Sequence, residues 1–256
     1  MTAWTIYDAL IDRAQSGAVV EDVVLGINWS VCKFSDLNVP GICFSASHVA
    51  RTLPWSGSLI GRSINELKHW VKDWEPAAAS VGVMAINACI NSGDGALVNA
   101  QKILPSTKNV PNNLLVFDYF RHATEGKKVA VIGRYPGLTT RPGFERWTCF
   151  EINPQAGDLP SLAAPYILPD YDWVFITGAT IANKSLPAIL NACGEAQLVL
   201  MGPSIPWTPL WADFGVNYLA GVAVNDWFAL KNVACQAGGT QLFNGPCDYF
   251  LVDLAQ

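Results

Sequence analysis

Beyond Glu125-Gly126 the chain repeats one pattern, a short continuous apolar run followed by a segment of helical spacing. The runs are Lys128 to Ile132, Trp147 to Ile152, Trp173 to Thr177, Gln197 to Met201 and Tyr218 to Val224. Strands without polar alternation are strands covered on both faces, and helical crossovers between them let neighbours run parallel. This half is therefore expected to form a mainly parallel sheet between helical layers. Helices are expected near Leu138 to Phe144, Asn183 to Cys193, Thr208 to Phe214 and Asp226 to Gln236. The last stretch, with Gly238-Gly239 and Tyr249 to Leu254, can add an antiparallel edge hairpin to the sheet.

The first half reads differently. Ile6, Leu10 and Ala14 stand near helical spacing over Thr2 to Ser16, and Gly17 suits the helix end. Strand-like runs follow at Val19 to Asn28, Ser30 to Phe34 and Gly41 to Phe44. Ser63 and Glu66 have the spacing of a capping box, which opens a helix to about Trp74. Pro76 suits the first turn of another helix, ended near Asn91 by Ser92-Gly93-Asp94-Gly95. Polar residues with Pro105 and Pro111 then run from Asn99 to Asn113, the best linker, and a connecting helix covers Leu114 to Thr124. The expected division is a small α+β unit over residues 1–110 and a sheet unit over 111–256.

The hydrophobic fraction of 51% raises the question of a membrane span. Ala77 to Ile90, the most apolar stretch, is interrupted by Ser80 and Asn87 and falls short of the ~20 residues a crossing needs. The N-terminus lacks the basic start and apolar run of a secretory signal, so a cytoplasmic protein without membrane contact is expected. A net charge of −5 without a Lys/Arg cluster argues against nucleic acid. The seven cysteines include no C-x-x-C pair, and His48, His69 and His122 have no i,i+4 partner, so no built-in zinc or iron centre is legible.

Ligands of open parallel sheets settle at the carboxyl ends of the strands. After the first strand comes Gly133-Arg-Tyr135-Pro136-Gly137, where glycine permits close approach but Pro136 removes an N–H. Glu151 ends the second strand, 18 residues after Gly133, where nucleotide-binding sheets place an acceptor for ribose hydroxyls. The third strand delivers Thr177, Gly178 and Thr180, followed by Asn183-Lys-Ser185 as a possible helix cap, and the fourth delivers Gly202, Pro203 and Ser204. In the first half, Ser80, Met84, Asn87 and Asn91 share one helix face, and Asn28 and Ser30 flank Trp29 in an apolar setting. Buried polar groups of this kind either brace backbone or address a ligand.

Taken in order, Gly26-Ile-Asn28-Trp-Ser30-Val, Ala79-Ser80-Val-Gly82-Val-Met-Ala-Ile-Asn87-Ala88, Val131-Ile-Gly133-Arg-Tyr135-Pro136, Phe150-Glu151-Ile-Asn-Pro154, Thr177-Gly178-Ala-Thr180 and Met201-Gly202-Pro203 resemble the family described as "putative heavy-metal chelation". The resemblance covers almost the whole chain. It implies an enolase-N-terminal-like α+β domain followed by a Rossmann-like domain, with a site in the cleft between them and a role in handling a heavy metal. The matching side chains are hard oxygen donors or neutral amides, whereas tight binding of soft metals prefers Cys and His. A metal carried in an organic chelate, or a small organic anion alone, suits them better than a bare ion. The alternative is an enzyme using S-adenosylmethionine or a nicotinamide on the Rossmann-like half, with Glu151 on the ribose. The missing G-x-G-x-x-G counts against the nicotinamide more than against the methyl donor.

Overall fold

The computed structural model describes residues 3–45, 52–93 and 99–254. Met1, Thr2, His48 and the Asp94-Gly95 part of the expected helix breaker lie outside the described residues. The first helix, α1 (Thr5–Arg13), precedes an antiparallel sheet of β1 (Val20–Leu25), β2 (Trp29–Phe34) and β3 (Gly41–Phe44), in the order β1-β2-β3. The first strand is shorter than expected because Gly26 begins the hairpin turn. A Cβ there would lie 2.4 Å from the Ala234 oxygen and 2.5 Å from that of Trp29, so the turn is packed down to backbone.

Ser63 caps α2 (Ile64–Leu67) by accepting from the Glu66 N–H. The reciprocal half of the expected box is replaced by an ion pair, since the Glu66 carboxylate takes Arg62 at 3.0 Å. The expected helix to Trp74 continues only as a tighter 3-10 segment, Lys68–Lys72. That segment lies directly against Gly82 of α3 (Pro76–Asn91). The Glu75 carboxylate caps α3 through Ala77 N and Ala78 N, and its residues from Ala78 to Ala88 are buried. At ~1.5 Å per residue its 16 residues span about 24 Å. Among the described residues no helix is long and apolar enough to cross a membrane.

The second sheet is built from β4 (Gln101–Lys102), β5 (Val129–Ile132), β6 (Thr148–Glu151), β7 (Leu159–Pro160), β8 (Trp173–Thr177), β9 (Gln197–Met201), β10 (Tyr218–Val224) and β11 (Cys247–Asp253). Its order is β4-β11-β10-β9-β8-β5-β6-β7. Pairing is parallel from β7 through β10, and β11 is antiparallel to both β10 and β4. The last strand is antiparallel as expected but forms no edge hairpin, because β4 covers its outer side and Gly239 opens a 3-10 segment. The segment read as a linker is stitched to this sheet: β4 pairs with β11, Ile103 N donates to Tyr249 O, and Asn112 donates to Phe243 O.

Around the sheet lie α4 (Leu115–Tyr119), α5 (Ala164–Ile167), α6 (Ala179–Ala182), α7 (Leu186–Ala192) and α8 (Trp227–Cys235). No helix forms over 138–144. Isolated turns run from Tyr135 to Leu138, Leu138 to Arg141 and Arg141 to Phe144, because Pro142 and Gly143 (φ 93°) interrupt a continuous ladder. The helix expected over 183–193 starts later, after a break at left-handed Lys184 (φ 65°). Pro209–Phe214 is a 3-10 segment capped by Thr208 and ended by Gly215.

Side chains of the large sheet fall alternately into two cores. Ile132, Ile176 and Leu200 face one, with Tyr7, Cys43 and Met84 of the smaller unit; Val131, Phe175 and Met201 face the other, with Phe117 and with Trp29, Val31 and Ile42. Both cores are thus continuous with the small sheet, and the Tyr7 hydroxyl donates to Ile181 O at 3.1 Å. Close backbone packing inside the small unit gives a direct test. A Cβ on Gly82 would sit 2.0 Å from Val71 N, whereas one on Gly17 would meet nothing within 4 Å. Gly82→Ala is expected to lower the unfolding free energy by about 1–3 kcal/mol or more by overpacking. Gly17→Ala should leave it equal or higher by about 0.4–1 kcal/mol. Urea unfolding of the two variants checks both signs.

Candidate functional site

The chain leaves β5 toward β6 and β7, then returns to β8 on the opposite side. Strand order therefore reverses between β5 and β8, and the crevice beyond their carboxyl ends is where open α/β sheets hold ligands. Three adjacent strands end there in the same way. Gly133 N donates to Phe150 O (2.8 Å), Gly178 N to Met201 O (2.7 Å) and Gly202 N to Ala220 O (2.8 Å), each glycine extending the ladder one step past its strand. Gly133 (φ 97°) and Gly202 (φ 110°) adopt backbone that side chains disfavour. A Cβ on Gly133 would be 2.9 Å from Thr177 Cγ2, and one on Gly178 would be 2.7 Å from Ile205 Cγ2. These glycines allow the strand ends to close on one another and leave backbone at the edge.

Tyr135 follows Gly133, and burial pushes its phenol up to about 12, with the neighbouring Thr177 side chain opposing. It is a neutral hydroxyl at ordinary pH. Thr177 Oγ1 accepts from Ala179 N at 3.4 Å. Thr180 does not join them, since its hydroxyl donates to Thr177 O at 2.7 Å and closes the first turn of α6. Pro136 is exposed, and its carbonyl accepts from the Asn113 amide. Asn183 likewise works locally, accepting from the Ser185 N–H and hydroxyl.

Glu151 holds the loop rather than standing free. One carboxylate oxygen accepts from Arg134 N (2.8 Å), the other from Ile152 N (2.8 Å) and Asn153 N (3.2 Å). The Arg134 guanidinium in turn pairs with Asp158 at 2.6 Å. Burial works to raise the Asp158 carboxyl, but the Gln155 N–H and Arg134 outweigh it and hold it below the usual carboxylate range. Cys149, which the sequence did not single out, points its thiol at Gly133 O (3.6 Å), and burial pushes that thiol up to about 12.

The helix face carrying Ser80, Asn87 and Asn91 meets this edge. Asn87 donates to Ile42 O of β3 (3.1 Å) and to Pro203 O of the loop after β9 (3.0 Å), and Asn91 bonds the Asn87 carbonyl. Asn91 also accepts from Trp207 N at 2.6 Å. Ser204 accepts from Phe44 N at 2.8 Å, and Ser80 donates to Pro76 O at 3.0 Å. Between those two hydroxyls lies the Cys43 thiol, raised to about 12 by burial against the lowering effect of both serines. The cation at this junction is Lys184, which donates to Ala182 O and lies over the Trp74 ring at 5.6 Å. Burial lowers its ammonium, with Asp73, Cys43 and Glu75 opposing.

Ser30 pairs with the Ser45 hydroxyl at 2.9 Å, while the Asn28 side chain lies beside Gly239, beyond α8. The structure thus gathers Gly133, Tyr135, Thr177, Gly178, Gly202, Pro203 and Ser204 along one edge, abutted by Asn87 and, through Cys43, by Ser80. Ser30, Asn28, Thr180 and Glu151 serve local backbone or flank the edge. A cavity of about 650 Å³ lies near the opposite ends of the strands, between Tyr119, Trp173 and Tyr218, and none of the expected site residues lines it. Among the described residues no three His, Cys, Asp or Glu side chains form a group able to hold a metal.

Asn87 is accordingly a brace before it is anything else. Removing it orphans two buried carbonyls, so Asn87→Ala is expected to cost about 1–3 kcal/mol of folding stability, read by chemical denaturation.

Comparison with known proteins bears on the same two units. A family model described as "Putative heavy-metal chelation" matches residues 115–253, and a second with the same description matches residues 7–90. The crystal structure of a protein of unknown function from the DUF364 family of Desulfitobacterium hafniense is 26% identical, covers 98% of each chain and superposes with a TM-score of 0.80. One from the same family of Pyrococcus horikoshii, 19% identical over 99% of this chain and 100% of its own, shares the fold with a TM-score of 0.73. The uncharacterized protein MJ0500 of Methanocaldococcus jannaschii is 27% identical over 136 residues, 50% of this chain and 52% of that protein, so the match spans about half its length. With more than half of its length matched by one of these models, the chain belongs to the DUF364 family, described as putative heavy-metal chelation.

Proposed function

We propose that the protein binds a metal chelate, or the small organic anion that forms one, where the carboxyl edge of β5, β8 and β9 meets β3 and α3. The observation that carries the reading is the set of three glycine-ended strands with the Tyr135 and Thr177 hydroxyls between them. Neutral hydroxyls solvate carboxylate oxygens well. They are poor direct ligands for a soft metal, which prefers thiolate or imidazole. Cys43 and Cys149 are close, but burial keeps both thiols protonated, and the thiolate is the form that binds metal. The family description, the hard donors at the edge and the protonated thiols are reconciled if the metal arrives already wrapped in an oxyanion chelator.

The sheet order favours the second reading, a nucleotide-type cofactor on the Rossmann-like half. It ranks lower because Glu151, the residue meant to receive the ribose, already accepts from three backbone N–H groups.

Calorimetric titration with Ni²⁺, citrate, Ni²⁺–citrate and S-adenosylmethionine separates the readings. Ni²⁺–citrate or citrate is expected to bind, and Thr177→Val to weaken it roughly two- to tenfold, the effect of one neutral hydrogen bond. Binding of bare Ni²⁺ with equal affinity would favour direct chelation. Binding of S-adenosylmethionine alone would favour the second reading.

A further inference from the structure

We infer that Tyr249 is a ligand-contacting residue of this site, its hydroxyl donating to an acceptor oxygen of the bound anion. The inference rests on the chelate reading above and names a contact which that reading lacks. Tyr249 lies on β11 opposite Val222 of β10. Ala220 is the β10 residue level with Met201, the last residue of β9, so Val222 and Tyr249 stand at the height of the loop that follows β9. This is the carboxyl edge where Gly202 begins. The Tyr249 ring stacks on Phe243 at 5.0 Å and 10°, and Tyr135 packs against the same core.

Among the described residues, the Tyr249 hydroxyl is the buried side-chain polar atom left without a hydrogen-bond partner. The residue is 2% exposed. Buried polar groups are otherwise paired almost everywhere, and one left unpaired costs the fold its desolvation. Its electrostatic neighbours are Tyr135 and Cys247, and burial holds the group protonated. A protonated phenol in apolar surroundings needs an acceptor, and a carboxylate oxygen is the strongest one available to a small organic anion.

Tyr249→Phe keeps the ring and removes only the hydroxyl. Thermal unfolding without added probe and calorimetric titration with Ni²⁺–citrate and citrate are measured on both proteins. The variant is expected to melt at the wild-type temperature or about 2–4 °C above it, because an unpaired buried group has been removed. Its affinity for the probe that binds the wild type should fall roughly ten- to a hundredfold, the loss of a bond to a charged acceptor. A variant that melts lower, or fails to fold, would mean that the hydroxyl has a partner inside the fold and would overturn the inference. Unchanged affinity would overturn it too, while leaving the chelate reading intact. Failure of the wild type to bind either probe would remove the chelate reading itself and this contact with it.

Discussion

The junction depends on one buried amide. α3 is apolar along most of its length, and on that surface Asn87 reaches β3 through Ile42 O and the loop after β9 through Pro203 O, while Asn91 supports it from one turn further on. A hydrophobic contact at the same place would bring the two sheets together without setting their register. Two hydrogen bonds made in a dry interior set it, because every alternative placement leaves buried carbonyls unpaired. Ser204 accepting from Phe44 N adds a second fixed point on the same loop. The carboxyl edge of the large sheet is thereby held against the end of β3.

Given that constraint, the strand ends can be crowded. Gly133, Gly178 and Gly202 continue their ladders past the last strand residue, and side chains at the first two positions would collide with Thr177 and Ile205. What is left at the edge is backbone and hydroxyl. Charge is kept to the margins: Glu151, Arg134 and Asp158 close the neighbouring loop among themselves, and Lys184 is half-buried against Trp74. On the chelate reading proposed above, an edge of this composition suits an anion whose charge is already partly neutralised by a metal, since Lys184, the cation at this junction, is engaged by Ala182 O and the Trp74 ring.

Much of this was legible residue by residue. The bounds of Trp173–Thr177, Gln197–Met201 and Tyr218–Val224 are those read from the sequence, because a continuous apolar run between helical segments has few other ways to be buried. The shared face of Ser80, Asn87 and Asn91 follows from helical spacing alone. The expected helix over 138–144 fails for a local reason too, the turn-forming Pro142-Gly143 pair outweighing an apolar spacing. Glu151 was legible as a strand-end carboxylate but not as a loop brace, since Arg134 N reaches it only when the β5 loop folds over β6. Tyr249 gave no signal at all, for an aromatic residue in a strand reads as packing.

The sequence by itself determined the layered class of the larger unit, the antiparallel last strand, the long buried helix and the glycines at the strand ends, all of which follow from hydrophobic periodicity and backbone freedom within short windows. Only the tertiary structure decided which polar groups are engaged and which are left over. Asn87 finds its acceptor 116 residues away and Ser204 its donor 160 residues away. Whether a buried hydrogen-bonding group is satisfied is a property of atoms brought together from distant parts of the chain, and spacing along the chain carries no information about it.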